Sequence, residues 1–172
     1  TYRPRIIVVA IVIALLAAGS LLDCPSSSVR AFTSSDADAA MTALNNVFWD
    51  PVKKYFYCNS DHQIHSEHAF GPEGGRYTDF WWEAQLWDTV MDAYERTGDN
   101  AYLRQLHDVY DGFMYYYPTF HSNFNDDRGW WALACARAYE LTGEYRYRDR
   151  AKSLFDEIYA YWDSTYGGGI WW

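Results

Sequence analysis

The sequence predicts an all-α protein built from a repeated helical hairpin. Apolar residues recur at helical spacing through most of the chain beyond residue 35. No alternating strand pattern stands out apart from the short run Tyr55-Phe56-Tyr57. An internal repeat is also visible. Tyr94-Glu95-Arg96-Thr97-Gly98-Asp99 returns as Tyr139-Glu140-Leu141-Thr142-Gly143-Glu144, a period of 45 residues (139 − 94), and Tyr102 and Tyr147 match across it. Each copy reads as a helix stopped at Thr-Gly and followed, after a tight turn, by a second helix. Helix pairs repeating at this length fit either an open solenoid or a closed ring of hairpins.

The elements follow in chain order. Residues 1–35 read as a signal peptide or N-terminal anchor with a Ser-rich linker. Tyr2-Arg3-Pro4-Arg5 is a basic flank, and residues 6–22 are apolar except Gly19 and Ser20. This predicts a secreted or cell-surface protein, with membrane contact only through that segment if it stays uncleaved. Cys24 follows Leu21-Leu22-Asp23, which loosely resembles a lipoprotein box that the aspartate fits poorly. The main domain then spans residues 36–172. Its first helix starts near Ser35-Asp36, turns Ala39, Ala40, Ala43, Leu44 and Val47 inward, and ends or kinks at Asp50-Pro51. A long loop rich in Gly, His and Asn covers about residues 53–78, a length usually reserved for function.

A second helix is expected over about 79–97, with Trp82, Leu86, Val90, Ala93 and Thr97 on one face and Gly98 as its stop. A third runs over about 101–115 before Pro118. The fourth runs from Asp126 or Asp127 to Thr142, stopped by Gly143, and Asn125 is placed to cap it. The fifth covers about 147–162, with Ala151, Leu154, Phe155, Ile158, Tyr159 and Trp162 on one face. Gly167-Gly168-Gly169-Ile170-Trp171-Trp172 reads as a loop. The repeat sets Trp82 opposite Asp127, so the loops ending at these two positions should lie at the same end of the hairpins.

Composition narrows the function. Aromatic residues make up 20% of the chain, including nine Trp and sixteen Tyr, more than a core of this size needs, so some should line a cleft. The net charge of −9 and the lack of a basic stripe argue against a nucleic-acid partner. A neutral polymer such as a polysaccharide is compatible with such a surface. Three cysteines make no disulfide framework, although a bridge between Cys58 and Cys135 is conceivable in an exported protein.

The segment Phe124-Asn125-Asp126-Asp127-Arg128-Gly129-Trp130-Trp131 carries the most chemical information. Two acids in the first turn of a helix are accounted for by the helix dipole alone. They also have the makings of glycoside hydrolysis, in which one carboxyl serves as acid and another as base or nucleophile. In a retaining enzyme the two groups stand about 5–5.5 Å apart, and one needs its pKa raised by burial. Trp81, Trp82, Trp130, Trp131, Trp171 and Trp172 come in three pairs, each read as one core ring and one candidate sugar platform. Glu83 reads as a solvated helix carboxylate that has some reach to a sugar hydroxyl. Gly168, with its glycine neighbours, lets the backbone approach a ligand closely or simply makes a flexible turn. His62, His65 and His68 are spaced by three but lack further ligands, so no metal and no cofactor is expected.

Taken together, Phe80-Trp81-Trp82-Glu83-Ala84, the Tyr-Glu-x-Thr-Gly turns, Asn125-Asp126-Asp127 with Trp130-Trp131-Ala132-Leu133, and the Gly167 to Trp172 segment resemble glycoside hydrolase family 76, the endo-α-1,6-mannanase family, over about residues 36–172. The resemblance implies an (α/α)6 barrel, a toroid of helical hairpins, of which these residues make about the first half of the ring. It implies a retaining double displacement on α-1,6-mannosidic linkages of mannan, with Asp126 as nucleophile and Asp127 as acid/base. The candidate substrate-binding residues are Trp81, Trp82, Glu83, Asn125, Trp130, Trp131, Gly168 and Trp171, and the full-length protein is expected to be a monomer. Two other readings stay open. One is a transglycosylase acting on cell-wall mannan or a GPI-type glycan. The other is a surface helical-repeat protein that binds glycan through its tryptophans and has no activity.

Overall fold

A computed structural model describes residues 31–172. The basic flank, the apolar run and Cys24 lie outside the described residues. The chain divides into Thr1–Ser34 and a second unit, Ser35–Trp172, described below.

Helix α1 spans Ser34–Phe48. Its inward face differs from the expected one. Met41 is buried, and Leu44 and Phe48 pack on the core, whereas Ala39, Ala40, Ala43 and Val47 face solvent. Methyl groups bury too little area to set the rotation of a helix against larger neighbours. Asn45 completes the inner stripe by a reciprocal amide pair with Gln105, at 3.1 and 2.8 Å. The helix stops two residues short of Pro51 because Trp49–Asp50 (β1) pairs antiparallel with Tyr55–Phe56 (β2), Trp49 opposite Phe56 and Asp50 opposite Tyr55.

Asp50 pins this hairpin. One of its oxygens accepts from the Val52 and Lys53 amides, and the other accepts the Tyr57 and Tyr77 hydroxyls at 2.7 and 2.9 Å. Partial burial pushes its carboxyl up, but these four bonds outweigh it and hold the group below the usual range. The segment that follows is tied down rather than free. Thr78 donates its amide to Phe56, Tyr57 bridges to Tyr77, and two short turns, Ser66–His68 and α2 (Pro72–Gly75), intervene.

Four longer helices make two hairpins: α3 (Phe80–Thr97) with α4 (Asn100–Tyr116), and α5 (Asn125–Thr142) with α6 (Tyr145–Tyr159). Helix α3 packs against α5, so the hairpins stand side by side. The 45-residue repeat is a structural repeat down to its hydrogen bonds. Thr97 donates its hydroxyl to the Ala93 carbonyl and accepts from the Asp99 amide, while Gly98 is left-handed at φ 66°. Thr142 does the same with Ala138 and Glu144, and Gly143 sits at φ 71°. The starts of α3 and α5 are also one period apart (125 − 80 = 45).

Two expectations for the last third are corrected. Helix α6 ends at Tyr159, and Trp162 belongs to strand β3 (Trp162–Asp163), paired with β4 (Gly169–Ile170). Of the face expected on that helix, only Leu154 is fully buried; Phe155, Tyr159 and Trp162 are exposed and stack in a row. Cys58 and Cys135 are free thiols; Cys135 is buried within α5, where desolvation pushes its thiol well above the ordinary value.

The core is aromatic and centred on Trp131. Its ring lies 3.6 Å from Phe113 and near Trp87 and Phe120, and its indole N–H donates to the Phe80 carbonyl at 2.8 Å. Trp87 likewise donates to the Leu106 carbonyl. These two bonds let indoles be fully buried without leaving a polar atom unpaired, and the Trp131 bond ties α5 to the first residue of α3.

Candidate active site

The first turn of α5 carries the two aspartates, and nothing in its own sequence caps it. Phe124 stands at the N-cap position with no side-chain bond. Asn125 is the first helical residue rather than the expected cap, and its amide donates to the carbonyl of Trp172 at 3.1 Å. One of the helix's free N–H groups is thus satisfied from the segment after β4. The Asn125 side chain is buried. It donates from Nδ2 to the Trp171 carbonyl at 2.6 Å and accepts the Arg128 guanidinium at 2.6 Å.

Asp126 is exposed and Asp127 half-buried. Ser122 donates its hydroxyl to Asp127 at 2.8 Å and accepts the Phe124 amide, so the chain loops over the helix start. Burial raises the Asp127 carboxyl above the ordinary aspartate range. The Ser122 bond opposes this, and the neighbouring charges of Asp126 and Asp79 add to it. Adjacent carboxyls thus sit in different surroundings, one open to solvent and one biased towards its neutral form.

Asp79 is the N-cap of α3, accepting the Phe80 amide at 2.6 Å. Its influence on Asp127 means that the two helix starts share one end, as the repeat predicted. Tyr117 is close enough to feel the charge of both Asp79 and Asp127. Burial, with Asp79, Glu83 and Asp127 nearby, pushes its phenol up to about 12. Asp79, Tyr117 and Ser122 were not singled out from sequence. Only Asp79 left a trace there, as an acid just before a helical run.

The expected aromatic platforms separate by exposure. Trp81 is 40% and Trp130 43% exposed, whereas Trp131 is fully buried and cannot meet a sugar. Trp82 is half-buried, edge-on to Trp81. Trp130 lies one turn beyond Asp126 and lines a cavity of about 190 Å³ between α3 and α5, with Gln85, Asp88, Leu133 and Arg137. Trp171 and Trp172 are both exposed, so the third pair does not divide into core and platform; Trp172 packs by Phe124, and Trp171 donates its indole N–H to Asp163. With Asp163, Thr165, Tyr166 and Ile170 they line a cavity of about 220 Å³. Gly168 belongs to the scaffold of this wall: a Cβ there would stand 2.7 Å from the Trp162 ring.

Glu83 is not solvated. It is fully buried, takes a short hydrogen bond from the Thr78 hydroxyl, and burial drives its carboxyl far above the usual range. It has no exposed surface through which to meet a ligand. Among the described residues no group of three or more His, Cys, Asp or Glu side chains could hold a metal ion. His62 instead stacks on Tyr57 and bonds the Val47 carbonyl, and His65 pairs with Asp61.

The model for glycosyl hydrolase family 76 matches residues 35–172. The chain belongs to this family. Its helical hairpins are those of the family's α/α toroid. Among solved structures, the α-1,6-mannanase of Salegentibacter sp. HEL1_6 superposes with a TM-score of 0.66 at 28% identity, covering 79% of this chain and 37% of that one. An inactive variant of that enzyme, with two consecutive aspartates replaced by asparagine, is bound to α-1,6-mannotriose and matches with a TM-score of 0.67 at 27% identity and the same coverage. The Lin0763 protein of Listeria innocua matches at 0.61 and 26% identity, over 79% of this chain and 38% of its own. This family 76 chain therefore spans about 37% of the length of the mannanase it matches. No curated protein matches.

Proposed function

We propose that the protein is a retaining glycoside hydrolase that cleaves α-1,6-mannosidic linkages in mannan. The observation that carries this reading is the unequal setting of the adjacent carboxyls: Asp126 open to solvent, Asp127 half-buried and raised. In this mechanism neutral Asp127 gives its proton to the leaving glycosidic oxygen while Asp126 attacks the anomeric carbon. Asp127, now a carboxylate, takes a proton from the water that displaces Asp126, and the sugar leaves with its configuration retained. Further support comes from the mannanase variant, which became inactive on losing two consecutive aspartates and still carries α-1,6-mannotriose. Trp81, Trp130, Trp171 and Trp172 are among the rings exposed enough to meet sugar faces. A polymeric substrate of this size calls for action outside the cell, in keeping with the apolar run at residues 6–22.

Asp126→Asn and Asp127→Asn should each lower hydrolysis of linear α-1,6-mannan by about 10²–10⁴-fold while leaving thermal melting in place. NMR of the first-formed product should show the α-anomer. Wild-type rates in both variants would remove the assignment, and a β-anomeric product would remove the double displacement.

A further inference from the structure

Arg128 follows the catalytic pair directly and is almost completely buried, at 5% exposure. Its Nη2 donates to Asn125 Oδ1 at 2.6 Å, its Nη1 lies 3.7 Å from Glu157, and its guanidinium stands 5.2 Å over the Tyr161 ring. Its Nε is buried without a hydrogen-bond partner. A buried guanidinium left partly unsatisfied is a poor way to stabilise a helix, and an apolar side chain of similar length would serve burial as well. Its one short bond, to Asn125, indicates what it does.

That bond fixes the direction of an amide. Guanidinium can only donate, so Asn125 must turn Oδ1 towards Arg128. Nδ2 then points the other way and donates to the Trp171 carbonyl at 2.6 Å. A carbonyl can only accept, so the flipped amide would set two acceptors against each other. The chain of donors is therefore ordered from Arg128 through Asn125 to Trp171. The Asn125 amide adds a parallel tie to Trp172 at 3.1 Å. Through these bonds the start of the helix bearing Asp126 and Asp127 carries the aromatic wall of the 220 Å³ cavity.

We propose that Arg128 is a positioning residue: by locking the orientation of the Asn125 amide it holds the Trp171-Trp172 segment as one wall of the glycan cleft, and so sets affinity for the sugar bound there. The affinity role rests on the function proposed above; the anchoring role does not. Arg128→Met removes the donor and keeps the length. It should raise KM for linear α-1,6-mannan about five- to tenfold with kcat within about twofold, the split expected when binding is lost and chemistry is not. Amide hydrogen exchange over residues 162–172 should quicken about tenfold as the segment comes loose. Arg128→Lys keeps one donor within reach of Asn125 and should recover most of both effects.

Wild-type KM and exchange in Arg128→Met would overturn the proposal. So would faster exchange with unchanged KM, since the segment would then not be part of the cleft. A fall in kcat as large as the rise in KM, unrelieved in Arg128→Lys, would mark general damage and also overturn it. If the wild-type protein does not act on mannan, the proposed function fails and the affinity role fails with it. Exchange in the two variants then decides the anchoring role alone.

Discussion

Glu83 shows how far a single residue's chemistry depends on its surroundings. In the sequence it follows two tryptophans in the first turn of a helix, where a carboxylate ordinarily meets water and the helix dipole. In the fold it has no exposed surface and contacts the Thr78 hydroxyl, and burial favours its neutral form. A neutral acid favoured by the fold supports stability fully below its ordinary value of 4.5. That support is lost as the pH climbs towards its raised value in the fold, because the folded state must then either ionise a buried group or hold an extra proton against solution. Glu83→Gln abolishes the titration. Its melting temperature should change less between pH 5 and pH 9 than that of wild type, with the difference opening towards the alkaline end. Parallel melting curves across that range would show that Glu83 ionises freely. Asn125 is a second case: its side chain reads as a helix cap, but the cap comes from the Trp172 carbonyl, a partner 47 positions away (172 − 125) that no local pattern reveals.

The turns that end α3 and α5 follow simple local rules. Thr-Gly closes both helices, with threonine bridging the last turn and glycine adopting a left-handed conformation. A Cβ added at Gly98 or Gly143 would meet nothing within 4 Å, so the cost of alanine there is conformational alone. Each change should destabilise by about 1–2 kcal/mol, and the double variant by about the sum, as expected for well-separated sites. Gly112 is needed for a different reason. It lies inside α4, where a Cβ would stand 2.0 Å from the Lys54 carbonyl oxygen. Gly112→Ala therefore has to push the β1–β2 hairpin off the helix. It should cost more than either turn variant, although alanine is the better helix former by about 1 kcal/mol. Urea denaturation of the three single variants tests the order; a Gly112→Ala protein as stable as Gly98→Ala would contradict the close approach. Spacing predicted where these helices stop, but not the contact at Gly112, because that glycine looks like any other tolerated in a helix.

At the scale of the whole molecule, neighbouring tryptophans have separate fates. Trp131 joins Phe113, Phe120, Trp87 and Phe80 in a single aromatic core, while Trp130 faces the cavity between α3 and α5. Trp131→Ala should cost about 3–5 kcal/mol, the usual penalty for emptying a large buried ring. Trp130→Ala should leave melting nearly unchanged and weaken retention of α-1,6-manno-oligosaccharides. Calorimetric binding and melting of the two variants separate the roles, and a Trp130→Ala protein that melts early with intact binding would reverse them.

The sequence by itself determined the helical repeat, its stops, the shared end of the two acidic helix starts and the family. These are set by local spacing, by glycine's left-handed freedom and by short motifs, all of which act within a few residues. Which of two adjacent rings is core, which face of α1 turns inward, that Glu83 is buried, and that Arg128 and Asn125 tie the first turn of α5 to Trp171 and Trp172 were decided only by the tertiary structure. Burial and donor–acceptor pairing between segments depend on which surfaces meet in space, and residues tens of positions apart carry no mark of that in their order.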